Sequence, residues 1–108
     1  MVRYGIIGVG AMGREHAENL SFIEGATVTA ISDPDAGSRE LAQSQIKSPV
    51  AVFSDHNELL NSRLVDAVII ATPNYTHVDI LKDVFLDVHQ VLKYELITNI
   101  VAGFLQTK

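Results

Sequence analysis

The chain has 108 residues, 47% of them hydrophobic and 19% charged, with a formal net charge of −5 and no cysteine. That length supports one domain with a modest core, and the composition is that of an ordinary globular protein. The acidic balance and the lack of a basic stripe exclude non-specific nucleic-acid binding, and the missing thiols exclude disulfide frameworks and thiolate metal sites.

In chain order, the N-terminus "MVRYGIIGVG" enters an apolar strand, Val2 to Gly8, with no separate leader-like stretch before it. No run approaches the roughly 18 apolar residues that span a bilayer, so the expectation is a soluble cytoplasmic protein with no membrane partner. Met12 to Ile23 follows as a helix. Met12, His16, Leu20 and Ile23 form its expected core-facing stripe.

Thr27 to Ile31 is β-branched and predicts a second strand, and "SDPDAGS" is turn chemistry. A helix is expected over Arg39 to Ile46 and a short third strand over Val50 to Phe53. Ser54-Asp55 can cap a small helix carrying Leu59 and Leu60. "VDAVIIAT" is apolar on both faces, as in the centre of a parallel sheet covered on both sides. Thr76 then caps a helix with Leu81, Val84, Phe85 and Val88 on one stripe, and His89 to Leu92 is a candidate fifth strand. The alternation β-α-β-α-β-α-β-α-β predicts a doubly wound parallel α/β sheet of about five strands. Such sheets bind ligands beyond the carboxyl ends of their strands.

Three features fall at those ends. Gly8-Val9-Gly10-Ala11-Met12-Gly13 closes a strand and opens a helix, which is the context a Gly-x-Gly-x-x-Gly motif requires. Gly8 permits the turn, Gly10 lets backbone N–H groups approach a pyrophosphate, and Gly13 lets helix and strand pack closely. The helix start then offers N–H groups and a positive dipole end. Asp33 stands where the motif expects an acid to accept hydrogen bonds from the adenosine ribose. Its charge would repel a 2′-phosphate, which favours NAD over NADP, although Arg39 is near enough to offset part of it. The rival readings are a plain tight turn and a methyltransferase site; Gly13 inside the helix favours a dinucleotide. The third feature is "TPN", where Pro73 ends the fourth strand and Asn74 fixes the turn.

The segments "YGIIGVGAMGREHAENL", "VTAISDPD" and "VDAVIIATPNYTHVDILKDVF" together resemble the Gfo/Idh/MocA oxidoreductases, over about residues 1–92. The resemblance implies a Rossmann domain over 1–92 and NAD(P)-dependent chemistry at a hydroxyl-bearing carbon of a sugar, cyclitol or related compound. It implies pyrophosphate contacts from Gly8, Gly10, Ala11, Met12 and Gly13, and a ribose contact from Asp33. Thr72, Pro73, Asn74 and His77 would line the cofactor toward the nicotinamide.

The pattern then departs from the family. Tyr94, Glu95 and Leu96 stand where the family has Glu-Lys-Pro, and Lys93 is two positions away, a shift of roughly 6 to 7 Å along a strand. No catalytic residue is therefore assigned. The four histidines, His16, His56, His77 and His89, are too scattered to predict a metal site. Residues 93–108 form a divergent tail with Leu96, Ile97, Ile100, Val101, Phe104 and Leu105 at helical spacing. This helix, 96–105, is expected to cover sheet surface or else to mediate self-association or docking to a partner chain. The expectation from this departure is a truncated product without the family's substrate domain. Three readings follow: a cofactor domain not catalytic alone, a dehydrogenase completed by a partner chain, or a non-catalytic NAD-binding or docking module.

Overall fold

The computed structural model describes residues 1–86. The predicted strand His89–Leu92, Lys93 and the predicted helix 96–105 lie outside the described residues. Four strands, β1 (Val2–Ile7), β2 (Ala26–Ser32), β3 (Ala51–Phe53) and β4 (Ala67–Ile70), form a sheet of order β3-β2-β1-β4. Every pairing is parallel, so each connection must carry a crossover. The crossovers are α1 (Ala11–Leu20), α2 (Ala36–Gln45) and α3 (His56–Asn61), with α4 (His77–Leu86) after β4. The direction of winding reverses at β1, which has β2 on one side and β4 on the other.

The sheet is covered on both faces. Ile6, Val9, Ala17, Leu20, Val28, Ile31 and Ala42 form one buried cluster, with α1 and α2. Ile7, Ala30, Leu59, Val68, Ile70, Ile80 and Val84 form the other, with α3 and α4. Double coverage explains the unbroken apolar run of β4, whose four residues are all buried. Burying each large apolar side chain contributes about 1.5–3 kcal/mol. At the amino end of the sheet, Arg3 ties β1 to the start of β4. Its Nη2–H donates to Asp66 Oδ1 at 2.9 Å, and its Nε–H to Asp66 Oδ2 at 3.1 Å. These bonds, with the carboxylate's charge, hold the Arg3 guanidinium above its ordinary value.

Two expected elements are corrected. The buried face of α1 is Gly13, Ala17 and Leu20, whereas Met12 is 42% and Ile23 54% exposed and His16 is only half-buried. At its first turn the helix lies so close to the end of β1 that no Cβ fits at Gly13, and the neighbouring Met12 turns outward. Helix α1 also stops at Leu20, well before Ile23, because the Ser21 N–H closes onto Ala17 and Glu18 carbonyls and Gly25, at φ +86°, turns the chain into β2.

Helix α2 starts at Ala36, three residues before Arg39, because Asp35 caps it: its Oδ2 accepts the Ser38 N–H at 2.8 Å. That bond holds the Asp35 carboxyl below its ordinary value. Its contribution is therefore present above the unfolded carboxylate range and is lost as pH falls through the lowered folded value. Asp35→Ala should melt at a lower temperature than wild type near neutral pH. The gap should narrow on acidification, as thermal scans at stepped pH would reveal. No helix among the described residues is long and apolar enough to cross a membrane.

Candidate dinucleotide site

The carboxyl ends of β1, β2 and β4 bring the glycine loop, Asp33 and Thr72 together. Residues leaving β1 must turn sharply into α1, and Gly8 does so at φ +93°. Neighbouring chain closes that turn. A Cβ on Gly8 would stand 2.8 Å from Thr72 Cγ2 and 2.9 Å from the Ala71 carbonyl, so glycine is required by both angle and space. The Gly8 N–H donates to the Ser32 carbonyl at 2.8 Å, and the Ala71 N–H to the Ile7 carbonyl at 2.7 Å. The loop is thus hung between the ends of β2 and β4.

Gly10 is the N-cap of α1, with φ −66° and ψ −164° and no side-chain cap. A Cβ there would meet nothing within 4 Å. The first N–H groups of an α-helix lack intrahelical acceptors, and no acidic residue in the first turn of α1 offsets the positive dipole end. Ala11 and Met12 are exposed at this helix start, while Gly13 faces inward, where a Cβ would overlap the Gly8 carbonyl oxygen. Open space above an uncapped helix start is what a pyrophosphate needs, so these residues fit a bound dinucleotide.

Asp33 follows β2 and is half-buried. Its Oδ2 accepts the Val9 N–H at 2.9 Å and its Oδ1 the Asp35 N–H at 2.8 Å. Each carboxylate oxygen has two lone pairs, so acceptor capacity remains for a ribose. The Arg39 guanidinium donates to the backbone oxygens of Asp33 and Pro34, at 2.7 and 3.1 Å, which keeps its charge beside Asp33.

After β4, Thr72 and the exposed Pro73 lead into a single turn of 3₁₀ helix, Asn74–Thr76. The Thr76 hydroxyl donates to the Pro73 carbonyl at 2.7 Å. His77 is buried, and its Nε2–H donates to the Thr72 carbonyl at 2.8 Å. The carbonyl can only accept, so this bond puts the proton on Nε2. His77 therefore sits behind the loop, bracing Thr72, while Thr72 stands nearer the glycine turn.

Two links could not be anticipated from spacing: the bond from Val9 to Asp33, and the Arg14 Nη1–H donated to the Val9 carbonyl at 3.0 Å. Neither has a sequence signal beyond the glycine motif itself. For His77 there was a signal, since it shares a helical stripe with Ile80 and Val84. A groove of about 730 Å³ between α1 and α2, lined among others by Leu20, Val28 and Ile46, lies beside the first residues of β2 and away from Asp33.

This arrangement has known counterparts. A family profile described as "Oxidoreductase family, NAD-binding Rossmann fold" matches residues 2–92. Inositol 2-dehydrogenase 2 of Paenarthrobacter aurescens (strain TC1) is 40% identical over 85 residues, covering 78% of this chain and 25% of that protein. The 2,7-anhydro-N-acetylneuraminate hydratase of Escherichia coli (strain K12) is 38% identical over 77 residues, covering 71% of this chain and 20% of that protein. Among solved structures, myo-inositol dehydrogenase from Lactobacillus casei in complex with NAD(H) and myo-inositol superposes with a TM-score of 0.74. It is 32% identical and is matched over 78% of this chain and 25% of its own. The chain spans about a fifth to a quarter of the length of these relatives. With profile, relatives and parallel sheet in agreement, the chain belongs to the Gfo/Idh/MocA oxidoreductases, as their NAD-binding Rossmann domain.

Proposed function

We propose that this domain holds NAD(H) across the carboxyl edge of its sheet, as the cofactor half of an oxidoreductase acting on a hydroxyl of a cyclitol or related sugar. The observation that carries the reading is the open, uncapped start of α1 directly beside Gly8, with the Asp33 carboxylate bonded to the same loop. Gly10, Ala11, Met12 and Gly13 would take the pyrophosphate on backbone N–H groups beside the turn that Gly8 makes, its own N–H being bonded to Ser32, and Asp33 would accept hydrogen bonds from the adenosine ribose. Thr72, Pro73 and Asn74 would border the nicotinamide, with His77 fixing Thr72 from behind. Once bound, NAD supplies the hydride-accepting chemistry. The residues of this chain bind it, orient it and shield one side from water.

The substrate class is inferred from relatives whose names specify inositol. No residue among those described is assigned to substrate acid–base chemistry, so the proposal extends to cofactor binding without catalysis by this domain alone. A cytosolic setting and self-association through 96–105 belong to the same proposal; sedimentation of the purified chain reads the latter.

Thermal melting against rising NAD⁺ and NADP⁺ tests the reading. A ligand at 100 times its dissociation constant adds about 2.7 kcal/mol, which raises the melting temperature of a domain this size by on the order of 10 °C. A saturable rise, larger with NAD⁺, is expected. A cooperative melt unmoved by either dinucleotide would instead favour a docking module.

A further inference from the structure

Val9 is held on both of its backbone polar groups by charged side chains. Its N–H donates to Asp33 Oδ2 at 2.9 Å, and its carbonyl accepts from Arg14 Nη1 at 3.0 Å. Its own side chain is fully buried between the sheet and α1. Asp33 is itself fixed, because the Asp35 N–H occupies its other oxygen at 2.8 Å and Arg39 grips its carbonyl at 2.7 Å. Hydrogen bonds with one ionised partner are roughly twice as strong as neutral ones. Two of them, one on the N–H and one on the carbonyl, fix the peptide planes on either side of Val9. The second of these planes leads into Gly10, the residue beside which the pyrophosphate would pass.

We propose that Asp33 and Arg14 are positioning residues that set the glycine loop in its binding shape before a dinucleotide arrives, Asp33 doing so with the same carboxylate that accepts the ribose. Its consequence for affinity rests on the dinucleotide reading above; the clamp on Val9 does not. Cofactor choice and loop shape are thereby linked through one carboxylate. A side chain that merely repelled a 2′-phosphate could be removed with a gain in NADP⁺ affinity. A clamp cannot be, because the loop that binds the pyrophosphate of either cofactor loosens with it. Arg14 separates the two roles. It holds the Val9 carbonyl and, being a donor only, cannot accept from the ribose as Asp33 would, so its loss should weaken both cofactors alike.

The experiment uses the full chain labelled for NMR, with no cofactor added, together with Asp33→Ala and Arg14→Met. In wild type, a through-hydrogen-bond coupling should connect the Val9 nitrogen to the Asp33 carboxyl carbon, and the Val9 amide should exchange slowly. Asp33→Ala should speed that exchange at least tenfold while the β1 and β4 amides hold. It should also weaken both NAD⁺ and NADP⁺, with NAD⁺ losing more. Arg14→Met should weaken both by an equal factor of about ten, the low end for one charge-assisted bond. Tighter NADP⁺ binding by Asp33→Ala, or unchanged affinities in Arg14→Met, would overturn the proposal. So would the absence of the coupling in wild type, which needs no variant to fold. Should wild type show the clamp yet bind neither dinucleotide, the clamp stands and the cofactor reading falls.

Discussion

Gly13→Ala should lower the melting temperature by on the order of 10 °C and abolish dinucleotide binding. The added methyl has nowhere to go, because it would overlap the carbonyl oxygen of Gly8, a backbone atom in a turn already at φ +93°. Alanine gains up to about 1 kcal/mol over glycine in helix propensity. Overpacking costs typically 1–3 kcal/mol, and more where the obstructing atom cannot rotate aside. The steric term wins, and α1 must lift from the sheet. Lifting it drags the Gly8–Gly10 turn away from its bonds to Ser32 and Asp33. Gly37→Ala is the matched control: in the first turn of α2 its Cβ would meet only Asp35 Oδ2, at 3.4 Å. Thermal scans of the two variants with and without NAD⁺ decide the matter. A Gly13→Ala protein melting within about 2 °C of wild type would show that the helix–strand contact is not what glycine secures.

Gly10→Ala should do the reverse, keeping the fold and losing the ligand. Alanine adopts φ −66° without strain, and its Cβ would meet nothing within 4 Å. The weaker N-cap preference of alanine costs about 0.5–1 kcal/mol, a fall of only a few degrees. The same methyl, however, projects into the space through which a pyrophosphate would approach the start of α1. Losing two phosphate hydrogen bonds at about 1.5 kcal/mol or more each lowers affinity on the order of a hundredfold. Isothermal titration of NAD⁺ into the folded variant measures this directly. Undiminished affinity would mean that the phosphates do not cross Gly10, and the proposed binding mode would have to be redrawn.

The fold was readable because two independent signals agreed. The β4 run "AVII" is apolar on successive residues, which only a doubly covered strand tolerates, and the glycine motif stands at a strand-to-helix junction. The inner face of α1 was not readable from periodicity. Such patterns weigh large apolar residues, and here Met12 loses to Gly13, where even a Cβ would overlap the Gly8 carbonyl, while Ile23 falls beyond the end of the helix. The early start of α2 was hidden for a different reason. "DPDAGS" has the chemistry of a turn, but the second aspartate spends its side chain on the Ser38 N–H and starts a helix. At the candidate site, spacing pointed to Asp33 but not to its bond with Val9, 24 positions away. That bond depends on how the ends of two strands lie side by side, which a linear pattern does not encode.

The all-parallel strand order also sets when the site comes into being. Arg3 and Asp66, whose contact joins β1 to β4, are 63 positions apart. Ribosomes add about 5–20 residues per second, so roughly 3 to 13 s separate the emergence of one from the other. Mixed α/β domains of this size fold far faster than that once complete. During that interval β1 and β2 can pair, and the Asp33–Val9 bond can form. The second wall of the Gly8 turn, however, is Ala71 and Thr72, which do not yet exist. The proposed pyrophosphate cradle is thus closed only by residues that follow the last described strand, so a stalled or shortened nascent chain ending before Thr72 should expose the apolar edge of β1 and hold no cofactor.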